Sequence, residues 1–502
     1  MYKWIYNSLL KANLFINRLY ISGIILDFKL TIMNYPVPSA LRSKQTNLLL
    51  LFVFLSYFLQ GQYDSAKDYY PPSEVPDRIM LTITGDAAST QGVTWRTDLS
   101  VKEAYGQLMK ADASPDLSAD LQEVVAETTY LKSDKNESNY HSVNFTGLLP
   151  NTQYAYRIGD KKLWSEWFHF KTAGGGREAF SFLYFGDAQN DLKSRWSRVV
   201  RGAYSKMPDA DFLLHAGDLI NRANSDHEWG EWFYSGGWIF GMMPSIATPG
   251  NHEYGRNSEG SRDLSAHWRP TFALPSNGPA GLEETVYYFD YHNARIISLN
   301  SQAFLSYEDK RKDQLEWLEK VLSENKKKWT ILTMHHPVYS SAAGRDNEEL
   351  KELLVPLFEK YKVDLVLQGH DHTYGRGGNL PIGRKRLVMD GPVYVVSVSG
   401  PKMYVNAMEE WMQRAASNTQ LYQLIKVEGN TLKFEAYMVT GELYDAFDLV
   451  KKSNKKTIFR EKAPDEVPER LAMPPRYEKS ISDEDRKAFQ KRFRKYKASK
   501  SN

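Results

Sequence analysis

Five short apolar runs, each followed directly by residues of metal-ligand type, constrain the fold of this chain more than any other feature. The runs end at Gly186-Asp187, Gly217-Asp218, Gly250-Asn251, His335-His336 and Gly369-His370-Asp371-His372. A short apolar run bounded by Gly or Pro is typical of a buried strand. In open α/β sheets the functional residues lie just beyond the carboxyl ends of the strands. The series therefore predicts a metal-dependent enzyme with its site at one rim of an α/β sheet.

Composition excludes several classes of protein. At 502 residues the chain is long for a single domain, so two folded units with tails are expected. A net charge of +3 offers no basis for a role as a nucleic-acid scaffold. The chain has no cysteine, which excludes disulfides, thiolate metal sites, a cysteine nucleophile and a lipoprotein anchor. Any metal must be held by oxygen and imidazole nitrogen atoms.

An almost wholly apolar run at residues 48–59 stands out near the start of the chain. It is too short to span a bilayer comfortably and has basic residues before it, so it predicts a secretory signal peptide cleaved near Gly61. Because the run begins so far in, we expect Met33 to be the true start. Residues 1–62 are thus a mis-assigned start plus signal peptide, and the protein is secreted or periplasmic. A buried helix or an uncleaved anchor is the alternative.

The next part of the chain predicts an all-β unit. A polar linker at residues 63–75 precedes short alternating strands over residues 76–173, which indicate an antiparallel sandwich. The strand around Trp95 and the Leu-x-Pro-x-x-x-Tyr-x-Tyr pattern of residues 148–156 resemble a fibronectin type III module. We expect this unit to be a scaffold without chemistry of its own.

Helix-like stretches alternate with the five runs. Apolar residues recur at helical spacing in residues 314–322 and 348–361, and further strands are predicted after His372. We place a catalytic domain at residues 178–450. Beyond it, residues 451–502 form a charged tail, either a solvated basic helix or a disordered segment.

The side chains at the strand ends offer carboxylate, amide and imidazole donors. They are Asp187, Asp218, Asn251, His335, His370 and His372. This mixture suits iron, zinc or manganese, and six ligands are too many for one tetrahedral zinc. Two cations sharing one carboxylate, about 3.5–4 Å apart, are the simplest arrangement. Such a pair lowers the pKa of bound water and offsets the charge of a phosphate.

The order of these motifs resembles that of the calcineurin-like metallophosphoesterases. It reads Gly-Asp, Gly-Asp, Gly-Asn-His-Glu, Met-His-x-Pro and Gly-His-x-His. The preceding fibronectin-like module and the stretch at residues 314–318 resemble the purple acid phosphatase branch, over about residues 70–450. The resemblance implies a metallophosphoesterase sandwich, with mixed β-sheets flanked by helices, behind an all-β sandwich.

The resemblance also implies roles for individual residues. One metal, usually ferric iron, would be held by Asp187, Asp218 and His372. The second, a divalent zinc, manganese or iron ion, would be held by Asp218, Asn251, His335 and His370. His252 resembles the family histidine that contacts the phosphate and assists departure of the alcohol.

Two departures from the family pattern affect this expectation. Asn221 stands where purple acid phosphatases carry the tyrosinate that binds iron, so ferric iron is less favoured and no purple colour is expected. Asn221 is then a weak ligand or a hydrogen-bonding loop residue. The loop at residues 340–347 lacks the histidine of plant-type members. His336 either substitutes for that histidine or packs beside the ligand strand.

Two further residues complete the predicted site. His215 is expected behind the ligands, orienting one of them. Arg376 either contacts the substrate phosphate through its guanidinium fork or forms a structural ion pair.

The function predicted from these observations is hydrolysis of phosphomonoesters by metal-activated hydroxide, as in an acid phosphatase. A phosphodiesterase or nucleotide hydrolase using the same centre is the second candidate. A surface-binding module with a purely structural metal site is the third.

Overall fold

The computed structural model describes residues 70–117, 120–176, 178–378, 386–452 and 456–500. The predicted signal peptide, the proposed start at Met33 and most of the linker at 63–75 lie outside these residues. Across the part of the chain that is described, none of the helices has the length and apolar character that crossing a bilayer requires.

The first part of the described chain is an antiparallel β-sandwich. Its strands are β1 (Asp77–Thr82), β2 (Gln91–Thr97), β3 (Tyr105–Lys110), β4 (Gln122–Val125), β5 (Glu127–Lys132), β6 (Glu137–Phe145), β7 (Gln153–Gly159) and β8 (Phe168–Lys171). They form two sheets, β1-β2-β6-β5 and β4-β3-β7-β8. Leu81, Trp95, Leu108 and Tyr156 come from both sheets and are fully buried in one apolar core. The expected all-β unit is confirmed.

Mixed sheets make up the rest of the described chain. The strands are β9 (Phe180–Phe185), β10 (Phe212–His215), β11 (Ser245–Ala247), β12 (Tyr254–Arg256), β13 (Arg262–Leu264), β14 (Tyr287–Tyr291), β15 (Ala294–Leu299), β16 (Trp329–Met334), β17 (Leu365–Gln368), β18 (Tyr374–Gly377), β19 (Arg386–Val388), β20 (Val393–Val396), β21 (Met412–Ala416), β22 (Leu421–Glu428), β23 (Thr431–Met438), β24 (Leu443–Lys451) and β25 (Thr457–Glu461). One sheet has the order β11-β10-β9-β22-β23-β24-β25-β19 and another β14-β15-β16-β17-β20-β18-β21, while β12 and β13 form a hairpin.

Helices pack against the large sheets and against the N-terminal sandwich. They are α1 (Ser197–Lys206), α2 (Asp226–Gly236), α3 (Ile239–Met242), α4 (Trp268–Thr271), α5 (Ser301–Ser306), α6 (Glu308–Ser323), α7 (Glu348–Lys360), α8 (Pro475–Glu478) and α9 (Asp483–Lys500). The helices predicted before the fourth and fifth apolar runs correspond to α6 and α7. A π-helical turn at Leu192–Trp196 leads into α1, and a 3-10 turn lies at Asn251–Glu253.

The two large sheets pack face to face. Phe182 of β9, Phe212 of β10, Ile331 of β16 and Leu367 of β17 belong to one buried cluster. Alternate residues of β15 to β17 point the other way, into a second cluster with the apolar faces of α6 and α7. Strands that are covered on both faces need apolar residues at every position, which is why the five runs are continuous rather than alternating. The metallophosphoesterase sandwich that the motifs predict is confirmed.

Parallel pairing brings the ends of the five runs together. Strand β10 pairs parallel with both β9 and β11, and β16 pairs parallel with β17. A bridge between Asp187 and Val398 joins the two sheets at this rim. The carboxyl ends of parallel neighbours meet at one edge, so residues distant in sequence converge there.

A buried ion pair joins the N-terminal sandwich to the catalytic part. The guanidinium of Arg78 in β1 donates to both carboxylate oxygens of Asp226 at the start of α2, at 2.8 and 2.9 Å. Asn136 donates to the same carboxylate at 3.0 Å, and His267 lies 3.3 Å from it. The two parts of the chain therefore share a desolvated polar contact as well as apolar surface.

The C-terminal segment differs from the predicted solvated or disordered tail. Strand β25 pairs with β24 and continues the sheet beyond residue 450, where the predicted catalytic domain ends. In α9, Tyr496 is buried with Leu471 and Met412, and its hydroxyl donates to Glu469 at 2.7 Å. The helix has few apolar residues, but this one tyrosine and its partners are enough to dock it, which the charge pattern alone does not reveal.

Candidate metal centre

One group of potential ligands combines Asp187, Asp218 and His372, all buried, with one donor atom from each lying within 4.8 Å of the others. The Nε2 atom of His372 is 3.2 Å from Oδ2 of Asp187. Nδ1 of His372 donates to the carbonyl oxygen of Lys402 at 3.0 Å. This bond sets the neutral tautomer and leaves the Nε2 lone pair directed into the group.

A second group combines Asp218, His335 and His370. Nε2 of His335 lies 3.1 Å from Oδ2 of Asp218 and 3.2 Å from Nδ1 of His370. The amide oxygen of Asn251 is also 3.2 Å from that Nε2. Nδ1 of His335 donates to the carbonyl of Ala216 at 2.8 Å, so its Nε2 also points into the group.

Asp218 belongs to both groups, and thus the structure brings all six predicted ligand side chains together around one carboxylate. Asp218, His370 and His372 have φ values of 52°, 74° and 47°, in the left-handed region that side chains other than glycine rarely adopt. Strained backbone of this kind concentrates at functional sites. The adjacent Gly217 (φ 83°) has no room for a side chain, because a Cβ there would lie 2.6 Å from the backbone nitrogen of Gly250.

The electrostatics of the site fit a bound cation. Burial raises the pKa of Asp187 to about 7. Burial alone would lower the pKa of His335, but the carboxylates of Asp218 and Asp187 raise it to about 9. Oδ2 of Asp187 is buried and has no hydrogen-bond partner among the described residues. Lone pairs of Asp187 Oδ2 and His372 Nε2 therefore face each other at 3.2 Å, and a divalent or trivalent cation would satisfy both.

His252 lies at the open side of the same carboxylate. Its backbone N–H donates to Oδ1 of Asp218 at 2.8 Å, and its Nε2 is 4.0 Å from Oδ2. Its Nδ1 hydrogen-bonds to the backbone carbonyl of Asn221. Asn221 thus contacts His252 through its main chain, and the structure gives its side chain no hydrogen bond in the described residues. The weak-ligand and the hydrogen-bonding alternatives for the Asn221 side chain both stay predictions.

His336 lies beside the site rather than in it. Its Nδ1 is 2.9 Å from the hydroxyl of Ser301, and its ring centroid is 4.3 Å from that of His370. Burial, with the charge of His335, holds the pKa of His336 well below its usual range, so the ring is neutral. These contacts fit packing beside the ligand strand, and a catalytic role for His336 stays a prediction.

Arg376 matches one of its two predicted roles, and His215 does not match the role predicted for it. Arg376 is fully buried and its guanidinium contacts Asp445, Glu461 and Gln413. It is a structural ion pair, not a phosphate ligand, because its donors are occupied away from solvent. His215 is enclosed by aromatic rings, and neither ring nitrogen has a hydrogen-bond partner among the described residues. It orients no ligand through a hydrogen bond.

Comparison with known protein families agrees with this geometry. The profile of the calcineurin-like phosphoesterase family matches residues 180–374, the stretch that holds all six ligand positions. The profile of the purple acid phosphatase N-terminal domain matches residues 76–172. The chain is a calcineurin-like metallophosphoesterase with a purple acid phosphatase N-terminal domain.

Relatives of this metallophosphoesterase carry acid phosphatase names. Human acid phosphatase type 7 is 28% identical over 358 residues, 66% of this chain and 75% of the relative. Purple acid phosphatase 21 of Arabidopsis thaliana is 26% identical over 370 residues, 70% of this chain and 79% of the relative. Both matches cover most of each protein.

Solved structures share its fold. A purple acid phosphatase from yellow lupin seeds superposes with a TM-score of 0.63 at 20% identity, over 76% of this chain and 75% of that one. PhoD superposes with a TM-score of 0.56 at 12% identity, over 86% and 98%. At these identities the likeness shows the fold alone.

Several residues around the centre of this metallophosphoesterase are absent from the sequence-based site. Glu253 and Asp371 are buried carboxylates that accept backbone N–H groups of neighbouring loops. Arg262 donates to the carbonyl of Asn251, and Arg345 to that of His370, both at 3.4 Å. Glu253 and Asp371 stand inside the Gly-Asn-His-Glu and Gly-His-Asp-His motifs, which is the signal that could have found them. Arg262 begins strand β13 and Arg345 lies in the loop after β16, and neither carries such a signal.

Proposed function

We propose that this metallophosphoesterase is a dinuclear-metal phosphomonoesterase of the acid phosphatase type. The observation that carries the proposal is the position of Asp218 in both ligand groups, with His252 beside it. The first cation would be held by Asp187, Asp218 and His372, and the second by Asp218, Asn251, His335 and His370. When bound, two such cations lower the pKa of coordinated water and offset the charge of the phosphate.

The cation pair that we propose is iron with zinc, manganese or a second iron. The donor set contains hard oxygen atoms and imidazole nitrogen, without sulfur. Asp187, Asp218 and His372 bring two carboxylates, and no tyrosinate stands at position 221. The site therefore places less negative charge on its first cation than a tyrosinate-bearing site would, and a divalent ion is better matched there than ferric iron.

His252 is suited to assist the leaving group. The hydrogen bond from its Nδ1 to the carbonyl of Asn221 fixes the ring, so that Nε2 faces the site. About a quarter of its side chain is exposed, 26%, so substrate can reach it. As an imidazolium, it donates from Nε2 to a phosphate or alcohol oxygen, and it supplies the proton that the departing alkoxide needs.

Basic residues around the rim favour a dianionic substrate. The positive charges of Arg262 and Arg345 act on His336, and that of Lys402 acts on His372. A phosphomonoester carries one more negative charge than a diester near neutral pH, so this potential attracts it more strongly. These positive charges support a phosphoester as the substrate. They give no separate support to the diesterase alternative.

The test is a comparison of substrates and of one substitution. We expect faster turnover of p-nitrophenyl phosphate than of bis(p-nitrophenyl) phosphate, and two metal ions per chain in protein purified without chelator. Asp218→Asn should lose activity by orders of magnitude, whereas Asp263→Asn, at an exposed carboxylate of β13, should not. Faster diester hydrolysis would contradict the proposed substrate class, and an active Asp218→Asn variant would contradict the mechanism.

We also propose that the protein is exported, to the exterior or to the periplasm. The support is the apolar run at residues 48–59 with its polar flank. The limits 76–173 of the N-terminal domain and the start of the catalytic domain at residue 178 stay predictions. Determining the first residue of the native protein tests the export proposal, with a start near Gly61 expected. A native protein that retains the apolar run would contradict cleavage.

A further inference from the structure

The side chain of Gln189 contacts two members of the first ligand group, Asp218 and His372. It is fully buried, and its Nε2 lies 2.7 Å from Oδ2 of Asp218 and 3.1 Å from Nε2 of His372. Its other polar atom, Oε1, is buried and has no hydrogen-bond partner among the described residues. One end of this amide therefore contacts two donor atoms of the predicted centre, while the other end is unsatisfied.

Both contacted atoms present lone pairs. Nδ1 of His372 carries the hydrogen, because it donates to the carbonyl of Lys402, so Nε2 accepts. A cation held by Asp218 and His372 takes those same lone pairs, and the amide N–H groups would then point at a positive charge. Rotation of the amide by 180° exchanges its nitrogen and oxygen at nearly the same positions. The oxygen would then face the cation.

We propose that Gln189 is a ligand, through Oε1, of the cation held by Asp187, Asp218 and His372. The inference rests on the proposed function, since it assumes a cation there. The next two residues, Asn190 and Asp191, have left-handed φ values of 72° and 48°, a rare conformation that turns the chain directly after Gln189. A neutral amide oxygen adds no negative charge, so this centre prefers a divalent cation and has no charge-transfer colour.

A leucine substitution with a matched control tests this role. Gln423 is also fully buried, with an unpartnered Oε1 and its Nε2 on Ser397, and it belongs to no ligand group. Both variants and the wild type are dialysed against graded chelator and their metal content is measured by elemental analysis. We expect Gln189→Leu to lose one metal ion per chain at about tenfold lower chelator concentration, and Gln423→Leu to resemble the wild type.

The outcomes separate this inference from the proposed function. A wild type that binds no metal and hydrolyses no phosphoester overturns the proposed function itself. A wild type that binds two ions and is active, with Gln189→Leu holding both equally tightly, overturns only the role of Gln189. Should Gln189→Leu not fold, Gln189→Glu keeps an oxygen donor and adds charge, so it must bind the first cation more tightly. Unchanged affinity in that variant also overturns the inference.

An independent observation concerns a cavity of about 550 Å³ beside the same centre. It lies between the loop that follows β16, Tyr404, and the C-terminal helices α8 and α9. Tyr404 packs edge-on against the ring of His372, with centroids 4.7 Å apart, and its N–H donates to the carbonyl of His372 at 3.1 Å. Arg345 reaches the carbonyl of His370. Two residues that line the cavity, Tyr404 and Arg345, therefore contact the predicted ligands His372 and His370.

The cavity lining is cationic. Arg345 and Arg492 both line it, and Nε of Arg492 is buried without a hydrogen-bond partner in the described residues. The acidic residue at its edge, Asp485, accepts from Ser482 at the start of α9. An unsatisfied buried guanidinium N–H is costly, and an anionic group is its natural partner.

We infer that this cavity holds the alcohol part of the phosphoester and favours an alcohol that carries a second anionic group. This too rests on the proposed function. Two pairs of phosphomonoesters distinguish a carboxylate from a phosphate as that group: phosphoserine against phosphoethanolamine, and adenosine 3′,5′-bisphosphate against AMP. For each pair the measured quantity is the ratio of the two KM values.

The decisive variant is Arg492→Gln, with Lys491→Gln as a control at an exposed residue of the same helix. We expect Arg492→Gln to weaken the preference for the charged partner of at least one pair by about tenfold, and Lys491→Gln to leave both ratios unchanged. Equal KM values for the two substrates of each pair in the wild type overturn the inference. KM ratios that Arg492→Gln does not alter also overturn it. Failure to hydrolyse all four compounds overturns the proposed function instead.

Discussion

The buried carboxylate of Glu253 accepts a hydrogen bond from the backbone N–H of Asp218 at 2.8 Å, and so holds the residue on which the centre converges. The same carboxylate accepts from the N–H of Leu219 and of Gly250, both at 2.7 Å. It therefore joins the loop after β10 to the loop after β11. Asp218 and Asn251 owe their relative position to a side chain that contacts neither ligand atom.

Glu253→Gln is expected to destabilise the fold and to displace Asp218. The new amide N–H groups would face backbone N–H groups that need an acceptor. Leaving a buried donor unsatisfied in this way costs about 1–3 kcal/mol of folding free energy. Thermal unfolding and metal content measure the two effects. Glu259→Gln, at an exposed residue of the following loop, is the control and should change neither. Wild-type stability and metal content in Glu253→Gln would contradict this account of the loop.

Asp226→Asn is expected to loosen the contact between the N-terminal sandwich and the catalytic part. The substitution leaves the buried guanidinium of Arg78 without its counter-charge, which costs about 3–5 kcal/mol. Glu137→Gln, in an exposed pair with Lys132, should cost at most about 1 kcal/mol. Unfolding in denaturant measures both values, and equal values would contradict the prediction.

The same carboxylate makes stability depend on acid. Burial alone would raise the pKa of Asp226, but His267 and the guanidinium of Arg78 hold it well below its usual range. The folded state therefore binds this proton less readily than the unfolded state, so the stabilisation is present above the ordinary carboxyl pKa and is lost as pH falls below it. We expect wild-type stability to fall more steeply below about pH 4 than that of Asp226→Asn.

Metal binding by chelator-treated protein is expected to release a proton and to strengthen with pH. Without a cation, His335 carries a proton, because neighbouring carboxylates raise its pKa to about 9. A metal ligand must be neutral imidazole, so the cation displaces that proton and affinity rises until the pH reaches about 9. Calorimetric titration in buffers of different ionisation enthalpy measures the proton. Affinity independent of pH between 6 and about 9 would contradict this assignment.

His252→Ala is expected to lower kcat about a hundredfold or more while both metal ions stay bound. Its Nε2 faces the site but lies 4.0 Å from Asp218, so it is placed to act on substrate rather than to hold a cation. His169→Gln, at an exposed histidine of β8, is the control. Loss of metal in His252→Ala, or an unchanged kcat, would contradict the role assigned to it.

Much of the fold and of the site could be predicted because their signals are local. Continuous apolar runs at residues 182–185 or 329–334 mark strands buried on both faces, and ligand types at their ends mark the rim. The partners of buried polar groups could not be predicted in this way. Arg376 follows His372 closely in sequence, yet its guanidinium meets Asp445 and Glu461 on other strands. His215 precedes Asp218 by three residues but points into an aromatic cluster.

The sequence by itself determined the class of fold and the kinds of donor atom available to a metal, because strand periodicity and residue chemistry are properties of short segments. Only the tertiary structure decided that Glu253 and Gln189 stand against Asp218, and that α9 docks beside the site. These contacts depend on which segments, distant in sequence, come together in space. The packing of the two sheets determines this, and no single motif does.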